Sequence, residues 1–277
     1  MVHGYNCYGE AAGVDVIKPI GVLDSGVGGL SLLRAIQAEL PQENLLYVAD
    51  SLHAPYGDKS PAWISARSAQ IISFLVGQQC KAVVIACNTI TAVAVSELRD
   101  SFAIPIIAIE PAIKPAAIMT RSGVIAVMAT TRTLHSESLQ RLRQRYAAGV
   151  EVLFVPCPGL ADKVESVDLD SSEVEQLLRS LLTPALDKGV DTLVLGCTHY
   201  PFLLDSIQRV VGPDVQIIDP SAAVAAEVGR RLQALDLLST QQTPGILAFC
   251  SSAAQDKARS IMSSLLGQPL SVAALPG

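Results

Sequence analysis

Two short stretches of the sequence place a cysteine directly behind an apolar run. In "LVLGCTHYPF" (193–202) the run ends at Cys197, and His199 follows two residues later. In "AVVIACNTIT" (82–91) the run ends at Cys87. A thiol at the end of a strand and in front of a helix feels the positive end of the helix dipole, which lowers the thiol pKa below its ordinary value of ~8.5. We therefore predict two reactive thiols with His199 as a proton carrier; the alternative is two small buried apolar residues, the commonest role of free cysteine.

The similar form of the two stretches indicates one structural unit used twice, because the cysteines lie 197 − 87 = 110 residues apart. Short aliphatic runs that end in polar residues, glycine or proline predict eight strands, with helical stretches between them. These runs begin near residues 20, 44, 81, 104, 123, 150, 191 and 214. Alternating strands and helices predict parallel sheets with helices on both faces. The expected fold class is α/β: two similar domains with mostly parallel four- to five-stranded sheets, a pseudo-repeat, and the active site in the cleft between the domains.

The domain boundaries follow from the same pattern. Residues 1–19 are predicted to be an N-terminal extension, disordered or loosely attached, and residues 111–220 the second domain. The first domain combines residues 20–110 with residues 221–266, because the last helices and a further apolar run are expected to return to it. Residues 267–277 are left as a C-terminal tail.

Ligands of open α/β sheets bind at the carboxyl ends of the strands. The residues expected at such ends are Asp24, Ser25, Cys87, Asn88, Thr89, Thr130, Cys197, Thr198 and His199. If the two units face each other, one cysteine approaches a shared cleft from each side. Two thiols that flank one small ligand can exchange protons with both of its faces.

Composition excludes several classes of protein. Half of the 277 residues are hydrophobic and only 4% are aromatic, with a mean hydropathy of +0.40, yet no apolar run approaches the roughly 18 to 20 residues of a membrane-spanning helix. A net charge of −6 without a basic cluster argues against nucleic acid as a partner. Six scattered cysteines without a Cys-x-x-Cys pair, and no secretion signal, predict reduced thiols in a cytoplasmic, soluble protein without zinc.

Other motifs leave two interpretations open. The turn "DSGVGGLS" (24–31) fails the dinucleotide-binding spacing because Ser31 stands where glycine is required, so it suits either a small carboxylate or merely a tight turn. "APYGDKS" (54–60) is a turn that can also bind a polar ligand. Asp50 and Asp219 fit helix caps or site residues equally. The remaining histidines are expected to be surface or structural residues, namely His3, His53 and His135.

Four motifs in order resemble glutamate racemase, a member of the cofactor-independent aspartate/glutamate racemases. They are "GVLDSGVGGLSLL", "YVADSLHAPYGDKS", "VVIACNTITA" and "LVLGCTHYPFL", and the resemblance runs from about residue 20 to residue 266. It implies two α/β domains with the site between them and no metal, pyridoxal phosphate or other cofactor. It also implies an enzyme that makes D-glutamate for peptidoglycan, commonly as a homodimer, and that in some relatives is activated by a peptidoglycan precursor.

The resemblance also assigns roles to residues. Cys197 removes the α-proton of L-glutamate and Cys87 that of D-glutamate, while Asp24 and His199 assist Cys87 and Cys197 respectively. Substrate binding is implied for Asp24, Ser25, Pro55, Tyr56, Gly57, Asn88, Thr89, Thr130, Thr133, Glu165, Thr198 and His199. Glu165 lies in a weaker motif and is expected to neighbour the substrate or the histidine. Cys80 and Cys157 match nothing catalytic and are expected to be structural.

Three alternative functions are consistent with part of these observations. A racemase or isomerase of the same superfamily can act on another small amino acid such as aspartate, because one methylene is a small difference for a pocket to enforce. A non-catalytic glutamate-binding regulator or a partner of DNA gyrase can share the fold, although the retained thiols count against it. A cysteine hydrolase or redox protein is disfavoured because His199 follows Cys197 on one turn and no Cys-x-x-Cys pair exists.

Overall fold

The computed structural model describes residues 17–276, which form ten strands and eleven α-helices. The strands are β1 (Ile20–Asp24), β2 (Leu45–Ala49), β3 (Ala82–Ile85), β4 (Ile106–Ala108), β5 (Val124–Ala129), β6 (Glu151–Pro156), β7 (Thr192–Leu195), β8 (Gln216–Ile218), β9 (Leu247–Ser251) and β10 (Ala273–Ala274). The predicted N-terminal extension, with His3 and Cys7, falls almost wholly outside the described residues.

Helices alternate with these strands along the chain. They are α1 (Leu30–Glu39), α2 (Pro61–Gly77), α3 (Asn88–Ser101), α4 (Ile113–Met119), α5 (Thr131–Leu134), α6 (Glu137–Tyr146), α7 (Leu160–Glu165), α8 (Ser172–Leu186), α9 (Leu204–Val211), α10 (Ser221–Ala234) and α11 (Gln255–Leu266). Two 3-10 turns, Tyr56–Asp58 and Tyr200–Leu203, lie beside the sheet ends discussed below.

Two parallel sheets confirm the predicted fold class. The first has six strands in the order β10-β9-β2-β1-β3-β4, and the second has four in the order β6-β5-β7-β8. The order β2-β1-β3-β4 in the first sheet corresponds to β6-β5-β7-β8 in the second, so the same topology occurs twice. The first sheet has one strand more than expected because β10, in the segment predicted as a tail, pairs with β9. Two alanines give no periodic signal that could have announced this strand.

The strands are apolar because helices cover both faces of each sheet. All residues of β1, β2, β3 and β7 are buried, as expected for central parallel strands. Strands 20–108 and 247–274 form the first sheet and strands 124–218 the second, while α10 packs against α1. The exact domain boundaries stay a prediction.

Within residues 17–276, no helix is long and apolar enough to cross a membrane. In the same part of the chain, no group of three or more His, Cys, Asp or Glu side chains is arranged to hold a metal ion.

Candidate functional site

The two cysteines predicted to be reactive occupy equivalent places in the two sheets. Cys87 lies two residues beyond the end of β3 and Cys197 two residues beyond the end of β7. Both are nearly enclosed, with 5% and 8% of their surface exposed. Cys87 is the residue in front of α3, and Cys197 precedes the 3-10 turn Tyr200–Leu203. The topological repeat thus places one thiol at the carboxyl edge of each sheet.

On the Cys87 side, a serine joins the thiol to a carboxylate. The hydroxyl of Ser25 lies 3.3 Å from Cys87 Sγ and donates a hydrogen bond to Asp24 Oδ1 at 3.1 Å. Asp24 is completely buried at the end of β1, and its Oδ1 also accepts from the Gly26 amide. A hydrogen-bonded path therefore runs from the Cys87 thiol through Ser25 to Asp24.

On the Cys197 side, an imidazole takes the corresponding position. Cys197 Sγ and His199 Nδ1 are 3.6 Å apart. His199 Nε2 lies 2.9 Å from Glu165 Oε1, which also accepts a hydrogen bond from the Val27 amide at 2.8 Å. The amide-rich turn after β1 therefore binds a carboxylate of this chain, that of Glu165.

Hydrogen bonds join the two sides directly. The Thr198 hydroxyl, next to Cys197, donates to Asp24 Oδ2 at 2.9 Å, and Ser31 Oγ donates to the Thr198 carbonyl at 3.0 Å. Because Asp24 belongs to the Cys87 side, a change in charge on one side alters the electrostatic environment of the other.

The predicted lowering of the thiol pKa is wrong for Cys87. Burial, and after it the negative charge of Asp24, raises the pKa of Cys87 to about 12. The hydrogen bond with Ser25 and the start of α3 offset only part of this effect. Burial also raises the pKa of Asp24, opposed by the charge of His199 and by hydrogen bonds from Thr198 and the Gly26 amide. Cys87 is therefore held as a neutral thiol.

The charge balance is reversed beside Cys197. Burial by itself lowers the pKa of His199, but hydrogen bonds with Cys197 and Glu165, together with their negative charges, raise it well above 6.5. The imidazolium of His199 lies 3.6 Å from Cys197 Sγ, close enough to exchange a proton with it.

A cluster of hydroxyl and amide groups lies beside Cys87. The Thr130 hydroxyl is 3.1 Å from that of Thr89 and 3.0 Å from that of Thr133, so the two sheets also meet here. Both amide atoms of Asn88 are buried and have no hydrogen-bond partner among residues 17–276. A buried amide without partners costs free energy unless a ligand or water satisfies it. The Asn88 amide can therefore form hydrogen bonds with a polar group that reaches it.

The turn 55–57 faces the second sheet. A Cβ atom on Gly57 would lie 3.4 Å from Thr130 Cβ, so the turn backbone is in contact with that threonine. Pro55 lines a cleft of about 200 Å³ together with Glu165 and His199. The structure thus brings all of the predicted site residues into one region between the sheets. Their roles in substrate binding stay predictions.

Asp50 anchors this turn, an arrangement that the sequence only partly indicated. Its buried carboxylate accepts hydrogen bonds from the hydroxyl of Tyr56 at 2.6 Å and from two nitrogens of Arg67 at 2.8 and 2.9 Å. His53 Nδ1 lies 3.0 Å away. Burial by itself raises the pKa of Asp50, but these hydrogen bonds, Arg67 first, lower it from 3.8 to about 2. Arg67 lies 17 residues away on α2, without any motif to connect it.

We expect Asp50→Asn to flatten the acid dependence of stability. A carboxyl group with a lowered folded-state pKa contributes stability above its unfolded pKa of 3.8, and that stability is lost as the pH falls through about 2. Between pH 6 and pH 3 the wild-type protein should lose about 1 kcal/mol from this group alone, and the variant should not. Urea unfolding across this pH range measures the difference.

The matched control is Asp256→Asn, since Asp256 is exposed and pairs with Arg259 on its own helix. It should leave the pH dependence of unfolding unchanged. Parallel pH profiles for Asp50→Asn and the wild type would contradict the anchoring role of Asp50.

The remaining candidates have structural positions. Asp219 lies one residue before the N-cap of α10, and its carboxylate accepts hydrogen bonds from the Ser221 amide and hydroxyl at the start of that helix. His135 Nδ1 lies 2.8 Å from the Thr131 carbonyl. Cys157 is buried and donates to the Val155 carbonyl. Cys80 is buried in the core beneath β1.

Comparisons with known proteins identify the family of this chain. The model of the family Asp/Glu/Hydantoin racemase matches residues 20–228. A glutamate racemase of Stutzerimonas stutzeri is 48% identical over 246 residues, which are 88% of this chain and 93% of that protein. Among solved structures, a glutamate racemase isoform of Bacillus anthracis superimposes with a TM-score of 0.87 at 33% identity, covering 94% of this chain and 97% of that one.

The glutamate racemase of Escherichia coli, solved with L-glutamate and the activator UDP-MurNAc-ala, has a TM-score of 0.81 at 28% identity, with 93% and 98% of the two chains covered. Sequence, fold and the placement of the two thiols therefore lead to one conclusion: the chain belongs to the Asp/Glu/hydantoin racemase family and, within it, to the glutamate racemases.

Proposed function

We propose that this chain interconverts L-glutamate and D-glutamate by proton transfer between two thiols. The observation that carries the proposal is the pair Cys87 and Cys197, one at the edge of each sheet and each with its own proton partner. A planar carbanion must be approached from both faces to be inverted, and a single base reaches only one of them. Two thiols, one at the edge of each sheet, can supply both.

In the proposed scheme Cys197 is the base for L-glutamate. Its thiolate, paired with protonated His199, removes the α-proton from one face. The neutral thiol of Cys87 then delivers its proton to the opposite face and becomes a thiolate. The reverse reaction begins from the opposite charge state, in which Cys87 is the base and Cys197 the acid. The two charge states differ only in which cysteine carries the proton, so the reaction consumes no net proton.

The chain itself must stabilise the carbanion, because the α-proton beside a carboxylate is very weakly acidic. Preorganised donors aimed at the developing charge contribute several kcal/mol in such sites. We assign this task to the unpartnered amide of Asn88 and to the hydroxyl of Thr89, both of them buried. In this scheme thiols, hydroxyls and amides supply the chemistry, and no cofactor takes part.

The wider setting is part of the same proposal. D-glutamate is a building block of peptidoglycan, and we place the enzyme in the cytoplasm, where thiols stay reduced. The activator bound to the Escherichia coli enzyme makes a peptidoglycan precursor a candidate activator here. A homodimer stays a prediction from the family.

The proposal is tested by incubating purified, reduced protein with L-glutamate in D2O. We expect loss of the circular dichroism signal as the amino acid racemises, with deuterium entering the α-carbon in the NMR spectrum, without added cofactor. L-aspartate is run in parallel. Exchange of aspartate but not of glutamate would reassign the substrate within the family, and exchange of neither would contradict the proposed activity.

A further inference from the structure

The turn after β1 contains glycines at positions that do not need glycine for their backbone conformation. It reads "DSGVGG" (24–29), and neither Gly26 nor Gly28 has a positive φ. Any L-amino acid can adopt such a backbone. The reason for glycine must therefore be sought in what lies against the turn.

His199, from the second sheet, fills the space beside Gly28. A Cβ atom built on Gly28 would lie 2.5 Å from Nδ1 and 2.8 Å from both Cγ and Cε1 of the His199 ring. Because Cγ joins the ring to the rest of the side chain, moving only the outer atoms of the ring does not relieve the clash. The whole imidazole, which is only 5% exposed, would have to move. Nδ1 is also the atom that faces Cys197 Sγ.

Glu165 fills the corresponding space beside Gly26. A Cβ atom there would lie 1.9 Å from Glu165 Oε1 and 3.5 Å from His199 Nε2. Between the two glycines, the Val27 amide donates its hydrogen bond to the same Oε1. The turn therefore holds both members of the His199–Glu165 pair, one by close packing and the other by a hydrogen bond.

The turn is itself fixed on both sides of this contact. The Tyr47 hydroxyl donates to the Gly26 carbonyl at 2.7 Å, and the Ser31 hydroxyl shares its one proton between the Gly28 carbonyl at 2.9 Å and the Thr198 carbonyl at 3.0 Å. Tyr47 is fully buried on β2. The surface against which the imidazole packs is thus rigid, as a positioning element requires.

We propose that Gly26 and Gly28 are positioning residues, which form a socket in the first half of the molecule for the His199–Glu165 pair of the second half. The socket fixes the distance between the His199 imidazole and Cys197 Sγ. His199 is therefore held in position to exchange a proton with Cys197 only when the two halves are in contact. The role of the socket in catalysis rests on the proposed function. The close contacts between the two glycines and the His199–Glu165 pair do not depend on that function.

The first test separates turnover from binding. Gly28→Ala should lower kcat for glutamate at least about tenfold, because it moves the acid–base partner of Cys197, while KM changes by less than about threefold. The control is Gly77→Ala, since a Cβ atom at Gly77 meets nothing within 4 Å. It should leave kcat unchanged. An unchanged kcat in Gly28→Ala, or a rise in KM alone, would overturn the socket.

The second test needs no activity. Gly28→Ala should lower the melting temperature by several degrees in the wild-type background and by much less in His199→Ala, because removal of the ring makes room for the methyl group. Equal losses in both backgrounds would show that the clash is not with His199 and would overturn the proposal. Inactivity of the wild type and Gly77→Ala would instead refute the proposed function and leave this test valid.

Discussion

Cys87→Ala and Cys197→Ala are each expected to abolish racemisation of glutamate, with kcat/KM lower by at least about 10³-fold. Each variant keeps one base, and one base returns the proton to the face from which it came. Circular dichroism of L-glutamate and of D-glutamate, followed with each variant, measures the loss. Cys80→Ala is the control, because Cys80 is a buried thiol in the core under β1 and away from the cleft.

The two variants should differ in proton exchange without inversion. Cys87→Ala retains the Cys197–His199 pair, and we expect it to exchange the α-proton of L-glutamate with D2O while D-glutamate stays unlabelled. Cys197→Ala should show the opposite preference. Full racemisation by either variant would contradict the two-base scheme. Exchange of both isomers by a variant that does not racemise would mean that its remaining thiol reaches both faces.

The sequence predicted the architecture because parallel α/β folds leave a strong pattern. Aliphatic runs of β1, β3, β5 and β7 are buried on both faces, and the polar residues directly after them mark the carboxyl ends. Their spacing along the chain also indicated the repeat. The two residues of β10 lay beyond such reasoning, since a short edge strand is specified by its partner β9 and not by its own composition.

Electrostatics was less accessible from the sequence. The sequence indicated that Cys87 stands in front of a helix, and a helix N-terminus is expected to lower the pKa of the thiol. Burial of the thiol, and after it the negative charge of Asp24, 63 residues earlier, raises that pKa instead. Its proximity depends on the pairing of β1 with β3. The turn "DSGVGG" likewise suggested a small carboxylate, and only the fold identifies the carboxylate as that of Glu165.

Asp24→Asn and His199→Gln are expected to impair opposite halves of the reaction, each with a loss of about 10²-fold in kcat. Because L-glutamate and D-glutamate are equally stable, kcat/KM must fall equally in both directions, and rates alone cannot show which proton transfer is slow. A primary deuterium isotope effect on kcat/KM can show which transfer is slow. If proton transfer at Cys87 is the slow step, the full isotope effect is seen when D-glutamate carries the α-deuterium, because Cys87 removes that deuterium. The effect is small when L-glutamate carries it, because Cys197 removes it in a fast step.

Asp24 reaches Cys87 through Ser25, and His199 lies against Cys197. Asp24→Asn should therefore raise the isotope effect on kcat/KM for α-deuterated D-glutamate and lower it towards one for the L-isomer. His199→Gln should do the reverse. If Asp24→Asn raised KM alone and left both isotope effects as in the wild type, Asp24 would be a substrate-binding group and the path through Ser25 would carry no proton. Matching shifts in both variants would instead mean that the hydrogen bond from Thr198 to Asp24 couples the two thiols so tightly that they titrate as one unit.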